Sequence, residues 1–394
     1  MNTELLIEKY LLKDNLLTHD PYDIWITKIG QKVKQFYYGH NLLGIAPAGC
    51  LTIYDFYINN SLRLGYKKRE YPILRAQAAL TLLSLYNTEP KDDYLVYAKK
   101  HIDWLLENSS QGYAGYCWGL NYDWVYSADE IYDDNMPFST HTPYPLEALV
   151  KYYEITKDET LIEPIKSVFN FFETDIKVMK EDENVLALSY GIQKDRIATN
   201  ASSYAMYCYA LLLDFLPEKK EQIELKITKL YNFLCSVQQE DASWLYSPYD
   251  DNTFIDTFHS AFVMKNILKT NDILKLDGSA DVVSKGYTYV LENMLVEEKG
   301  LFKRFSKTNR ISIIKFDLYD NAEMLNLANM LEDDALVEKL SQAIEENFIR
   351  KKNEVASVID LFGTLKNINH LGWAVVQYLY ALAKIQERKE CVEF

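Results

Sequence analysis

Five aromatic residues recur at one place in a helical pattern. Trp104 in HIDWLLEN, Phe171 in VFNFFETD, Phe233 in LYNFLCSV, Tyr289 in GYTYVLEN and Phe348 in AIEENFIRK each stand near the C-terminal end of an amphipathic stretch, at intervals of about 55–70 residues. A single repeated helix and its loop need about 20–50 residues, so the longer period leaves room for a helix pair plus a long loop. With a sixth pair from the N-terminal segment, the repeat predicts an all-α fold, a closed (α/α)6 toroid of helical hairpins. Such a ring absorbs the whole chain, so residues 1–394 are expected to form one domain.

Each pair has an apolar member and a one-sided member. PYPLEALVKYYEITKD is followed by DETLIEPIKSVFNFFETDI, and ASSYAMYCYALLLDFLPEKK by EQIELKITKLYNFLCSVQQ. A helix apolar all round is buried, and a one-sided helix faces solvent. Inner helices are expected near 143–155, 201–215, 256–269, 319–331 and 369–386, and outer helices near 92–107, 159–175, 220–239, 280–295 and 334–349. Long segments join each outer helix to the next inner one. Loops of that length are rare unless functional, and the period-two run RISIIKFDLY predicts a short strand in one of them.

The inner-helix starts therefore converge on one mouth. They read Thr140-His141-Thr142, Thr199-Asn200-Ala201 (with Tyr204 one turn on), Asp256-Thr257-Phe258-His259, Asp317-Leu318-Tyr319-Asp320-Asn321 and Asn369-His370. Helix capping accounts for many of the Asp, Asn and Thr residues. It does not account for His141, His259 and His370, three of only six histidines. Asp256 and His259 are three apart and share one helical turn. A histidine titrates near neutral pH, which suits proton transfer. In GYCWGLNYDWVYSADEIYDDN, Trp118, Tyr122 and Trp124 stand beside Asp123, and in DASWLYSPYDD Trp244 and Tyr246 stand beside Asp250 and Asp251. Flat rings beside carboxylates suit sugars, and paired carboxylates suit glycosidic chemistry.

Other classes are excluded by charge and motif. The formal net charge of −15 opposes nucleic-acid binding and a polybasic membrane patch, and Lys67-Lys68-Arg69 alone is too short to reverse this. No apolar run approaches a membrane span. Five cysteines without CxxC spacing, and a first segment unlike a signal peptide, predict a cytoplasmic protein. No HExxH, zinc set, P-loop, GxSxG or GxGxxG occurs, so neither cofactor nor metal is expected.

FLCSVQQEDASW resembles the QW repeat of the terpene cyclase and prenyltransferase superfamily, with Ala242 in place of the usual glycine. HDPYDIW, GYCWGLNYDW, STHTPYPLEALVKYYEIT, NASSYAMYCYALL and QQEDASWLYSPYDDNTFIDTFHSAFV resemble bacterial α/α-toroid proteins found with surface-polysaccharide biosynthesis genes. The resemblance implies the (α/α)6 fold of six-hairpin glycosidases and prenyltransferase-like proteins. The prenyltransferase zinc ligands and the cyclase DxDD are absent, so neither activity carries over. The expectation is a carbohydrate-active enzyme acting on a glycan or lipid-linked oligosaccharide by hydrolase, epimerase or lyase chemistry. Alternatives are a terpene cyclase or prenyltransferase relative, or a glycan-binding toroid without activity. The expected catalytic residues are Asp123, Asp256, His259 and Asp317. The expected substrate-binding residues are Trp118, Tyr122, Trp124, His141, Asn200, Tyr204, Trp244, Tyr246 and Asp320.

Overall fold

A computed structural model of the protein describes residues 3–193, 196–251, 253–308 and 312–392. It begins with α1 (Thr3–Leu11), a single turn α2 (Asp23–Ile26) and a helical hairpin, α3 (Lys28–Gly39) and α4 (Asn41–Ile53). Alternating inner and outer helices follow: α5 (Pro72–Thr88) and α6 (Asp92–Glu107), α7 (Pro143–Thr156) and α8 (Ile162–Thr174), α9 (Thr199–Leu212) and α10 (Lys220–Ser236). The series continues with α11 (Thr257–Ile273) and α12 (Ser279–Met294), α13 (Leu318–Met330) and α14 (Asp334–Phe348), and ends with α15 (Val376–Val392). The inner helices pack each on the next, and α15 returns to α5, closing the ring. α1 lies outside α15 and completes the outer layer.

Local sequence explains the two layers. In α5, PILRAQAALTLLSLYNT opens with proline at its first position, where no N–H is needed, and continues in alanine and leucine. Its residues from Pro72 to Leu85 are all buried. In the outer α8, by contrast, only Ile165, Val168, Phe169, Phe171 and Phe172 are buried, one face of the helix. Burying such an apolar face contributes about 25 cal/mol per Å2, and this holds the outer layer to the inner one.

The expected helix ranges agree with these within a few residues, except at the last inner helix. It was expected from 369 and starts at Val376. The cause lies at Gly372 and Trp373. A Cβ on Gly372 would overlap the Tyr71 hydroxyl, and Trp373 takes φ 54°, ψ −83°, outside helical geometry. The period-two run forms the strand Ile314–Asp317, paired antiparallel with Glu354–Asp360; residues 310–311 of that run lie outside the described residues. A second short pair, Ile255–Asp256 with Phe305–Lys307, ties the start of α11 to the next return segment. These strands pin the inner-helix starts side by side.

Candidate active site

At the mouth of the ring lies a cavity of about 390 Å3. Its charged wall is built from two helix starts. Asp256 caps α11 by accepting from the His259 backbone N–H at 3.1 Å, and both of its oxygens lie 2.8 Å from His259 Nδ1. Asp256 is buried, and His259 lines the cavity. The cap and the His–Asp contact therefore coexist, and they fix the imidazole so that Nε2 is its remaining nitrogen. Asp317 caps α13 by accepting from the Tyr319 N–H at 2.9 Å, and it accepts from an Arg304 guanidinium nitrogen at 2.6 Å. Arg304 Nε donates to Asp320 at 3.0 Å. Burial opposes the charge on Arg304, but Asp320 and Asp317 hold its pKa well above the usual range, with Asp256 adding to their field. Asp320 is fully buried, and burial raises its carboxyl to about 7 despite Arg304.

The opposite chemistry is neutral. His141 is buried, and burial pushes its pKa down to about 3, so the ring is uncharged at neutral pH. Its Nδ1 lies 3.1 Å from the Thr140 hydroxyl. Its Nε2, and Oδ1 of Asn200, are buried without a hydrogen-bond partner among the described residues, and both side chains line the cavity. Buried polar atoms are rarely left so, and such a pair marks a place for a polar ligand. The Tyr144 and Tyr204 hydroxyls bond to each other in the same wall. Tyr246 stacks on Phe254 with centroids 4.7 Å apart and meets the His259 ring at 4.6 Å.

The structure thus brings together Tyr122, Trp124, His141, Asn200, Tyr204, Tyr246, His259 and Asp317 around one cavity, with Asp256 and Asp320 directly behind its wall. Three expected residues are elsewhere. Trp118 is fully buried in the core and donates Nε1–H to the Leu105 carbonyl at 2.8 Å. Trp244 does the same to Leu234 at 3.0 Å. Both carbonyls lie in the last turn of an outer helix, where acceptors lack intrahelical donors, so these tryptophans are helix stops and not sugar platforms. Gln238 of the QW-like segment is equally structural, donating to the Ala242 and Val282 carbonyls at 3.1 Å. Asp123 points from an exposed turn and does not line the cavity. His370, the third junction histidine, is held outside the cavity wall by Arg63 at 3.3 Å.

Several cavity residues were not anticipated. Arg304 lies in a return segment read as loop, where its only signal was a lone arginine between Phe302 and Phe305. Trp373 lines the cavity, stacks on Tyr71 at 5.2 Å and donates Nε1–H to buried Asp20 at 2.9 Å. Burial raises the Asp20 carboxyl to about 6. Among the described residues, no cluster of three or more His, Cys, Asp or Glu side chains is arranged to hold a metal.

Comparison with known proteins fits this architecture. A sugar epimerase from a ruminal bacterium superposes with TM-score 0.63 at 14% identity, covering 81% of this chain and 88% of the other. A family 76 α-mannanase from Bacteroides thetaiotaomicron gives 0.61 at 11% identity, covering 95% of this chain and 100% of the other. A family 88 glycosyl hydrolase from Bacteroides vulgatus gives 0.56 at 9% identity, covering 81% and 92%. At such identities these likenesses speak for the (α/α)6 fold alone. No curated protein matches the sequence. Sequence comparison with family profiles matches Glycosyl Hydrolase Family 88 over residues 50–330, a span that includes α5 to α13 and most of the cavity wall. The chain therefore belongs to glycosyl hydrolase family 88 and is a carbohydrate-active enzyme.

Proposed function

We propose that the cavity binds a sugar residue and that His259, oriented by Asp256, moves a proton on it. The observation that carries this reading is the Asp256–His259 contact, 2.8 Å from both carboxylate oxygens, at the wall of an aromatic cavity. A carboxylate on Nδ1 directs Nε2 toward a reacting group and stabilises the imidazolium that forms. In an epimerisation, Nε2 would take the proton from the carbon beside the carbonyl of an opened sugar. A second group that itself carries a proton would return one to the other face; Asp317, which accepts from both Arg304 and the Tyr319 N–H, serves instead as a fixed negative charge at the wall. His141 Nε2 and Asn200 Oδ1 would bind hydroxyls, and Tyr246, Trp124 and Trp373 would stack on C–H faces. Lyase chemistry needs the same base.

Hydrolysis is the second reading, favoured by the family match. It needs two carboxylates about 5–10 Å apart flanking the bond. Among the described residues that line the cavity, Asp317 is the one carboxylate. The geometry therefore supports proton transfer at carbon first. The finer reading keeps a glycan or lipid-linked oligosaccharide of surface-polysaccharide biosynthesis as substrate, and a cytoplasmic site of action. The first rests on the family resemblance, and the second on thiols left unpaired at Cys50, Cys117, Cys208 and Cys235.

The test is turnover of disaccharides and glycan intermediates in D2O. Deuterium entering a sugar carbon marks epimerisation, new reducing ends mark hydrolysis, and ultraviolet absorbance of an unsaturated product marks a lyase. His259→Ala and Asp256→Asn should both lower turnover by about 10²-fold or more while retaining the fold. Near-normal turnover in both would remove the pair from the mechanism.

A further inference from the structure

The most unusual surface of the molecule lies beside the cavity, on the hairpin α3–α4. Segment 27–69 carries seven Lys and Arg residues against one acid, Asp55, a formal local net charge of +6; Arg63 is buried beside Asp55 and Arg69 pairs with Asp23, so the exposed charge rests on the lysines. The whole chain carries −15, so the remainder carries −21. Lys28, Lys32, Lys67 and Lys68 are all exposed. Lys67-Lys68-Arg69, too short to matter alone, belongs to the same segment as Lys28 and Lys32 of α3, and Arg69 reaches back to Asp23, just ahead of that helix, at 2.9 Å.

The same hairpin exposes large apolar side chains. Leu42 is 85% exposed and Leu43 72%, with Ile29, Ile45 and Ile53 all more than half exposed. α4 reads NLLGIAPAGCLTI, without a single charge, and of its residues only Gly44 is buried. That glycine explains the hairpin's tightness, because a Cβ there would collide with the Tyr37 backbone. The apolar surface continues past α4 through Tyr57 to Phe362, whose rings lie 6.1 Å apart; Phe362 is 80% exposed at the tip of the 354–368 strand pair. Isolated exposed apolar residues are ordinary, but a contiguous patch of this kind marks an interaction surface. The patch also reaches the site. Lys34 of α3 sits 3.2 Å over the ring of Trp124, which lines the cavity.

We propose that the α3–α4 hairpin is a monotopic membrane-docking element that rests in the interface of an anionic bilayer, with the cavity mouth beside the lipid surface. Apolar side chains on one surface, lysines around them and flanking tyrosines (Tyr37, Tyr38, Tyr54 and Tyr57, all exposed) are what binding in the headgroup region requires. The charge argument selects the bilayer over a second copy of this chain. A copy would bring a surface that is strongly acidic elsewhere but equally basic at this patch, so a symmetric contact would juxtapose like charges. No helix among the described residues is long and apolar enough to cross a membrane, so the element would lie on the bilayer and not span it.

The test uses the full chain and lipid vesicles in flotation, and needs no substrate, so its outcome is independent of the sugar chemistry. The protein should float with vesicles of phosphatidylglycerol and phosphatidylcholine in equal parts, float less as salt rises, and stay unbound with phosphatidylcholine alone. Lys28→Glu with Lys32→Glu should weaken partitioning by about fivefold per lysine. Leu42→Gln with Leu43→Gln should weaken it about tenfold or more, with an unchanged circular dichroism melt. The charge pair keeps the test decisive should the leucine variant melt early. Absence of flotation, equal flotation of the wild type and both variants, or a dimer in light scattering that the leucine variant dissolves while vesicles capture nothing, would each overturn the proposal.

Discussion

The two ends of the ring use the same inner helices for opposite purposes. At the mouth, polar groups are left unsatisfied: His141 Nε2 and Asn200 Oδ1 have no partner among the described residues. At the far end, charged groups are paired across helices, although Asn326 Nδ2 is buried there without a partner among the described residues. Glu147 of α7 receives Lys269 of α11 at 2.7 and 2.8 Å, and Glu387 of α15 receives Ser84 at 2.6 Å and Asn87 at 2.7 Å, both from α5. The far end is a cross-helix clamp, and the mouth keeps its polar atoms available for a ligand. Substitutions should therefore separate activity from stability according to the end they touch.

The largest expected effect is at the mouth. His259→Ala should lower turnover by about 10²- to 10⁴-fold with little change in melting temperature, the range for a positioned acid–base group. Equal turnover in His259→Ala and the wild type would erase the distinction between the two ends. At the far end, Glu147→Gln leaves Lys269 in a mostly buried place without its counter-charge. It should cost about 3 kcal/mol in urea unfolding and leave kcat of the folded fraction intact. A matching loss of kcat would show that the ends are coupled.

A smaller effect concerns pH. His141 has a folded pKa depressed to about 3 against an unfolded value near 6.5. The folded state then binds fewer protons, so stability from this group is present above pH 6.5 and is lost as pH falls below it. Between pH 7 and pH 5 the loss is about 2 kcal/mol, and His141→Gln should flatten the stability profile by that amount. An unchanged slope would mean that the ring is not held neutral. Asp320 runs the other way. Its pKa is raised to about 7, so its contribution to stability falls as pH rises from about 4 to 7, and Asp320→Asn should remove that fall. The smallest effect is at Ala242, where φ is 69°, in the left-handed region that favours glycine. Ala242→Gly should change stability by less than about 1 kcal/mol, with relief of strain offset by the entropy of the unfolded chain. It should leave turnover unchanged.

Much of this was legible in the residues themselves. Helical period, proline at helix starts and the alternation of all-apolar with one-sided stretches depend on neighbours within one or two turns. They were enough for the ring and for its inner and outer layers. The polar inner-helix starts followed from the repeat, which is why Asp256, His259, Asp317, His141 and Asn200 could be named together. Direction could not be read in this way. Trp118 and Trp124 stand six residues apart among the same aromatic and acidic neighbours, yet one closes the end of α6 and the other faces the cavity. Leu105 fixes the first, and Lys34 covers the second. Asp317 and Asp320 share one helix start, but Arg304 draws both carboxylates to itself and leaves only Asp317 at the cavity wall. In the basic segment 27–69, long-range pairing decided which cations stay in solvent: Arg69 meets Asp23, while Lys67 and Lys68 remain exposed. Local periodicity determined the ring. Which side chains meet in its mouth was decided only by long-range contacts, because a side chain's partner is set by the packing of distant segments and not by its sequence neighbours.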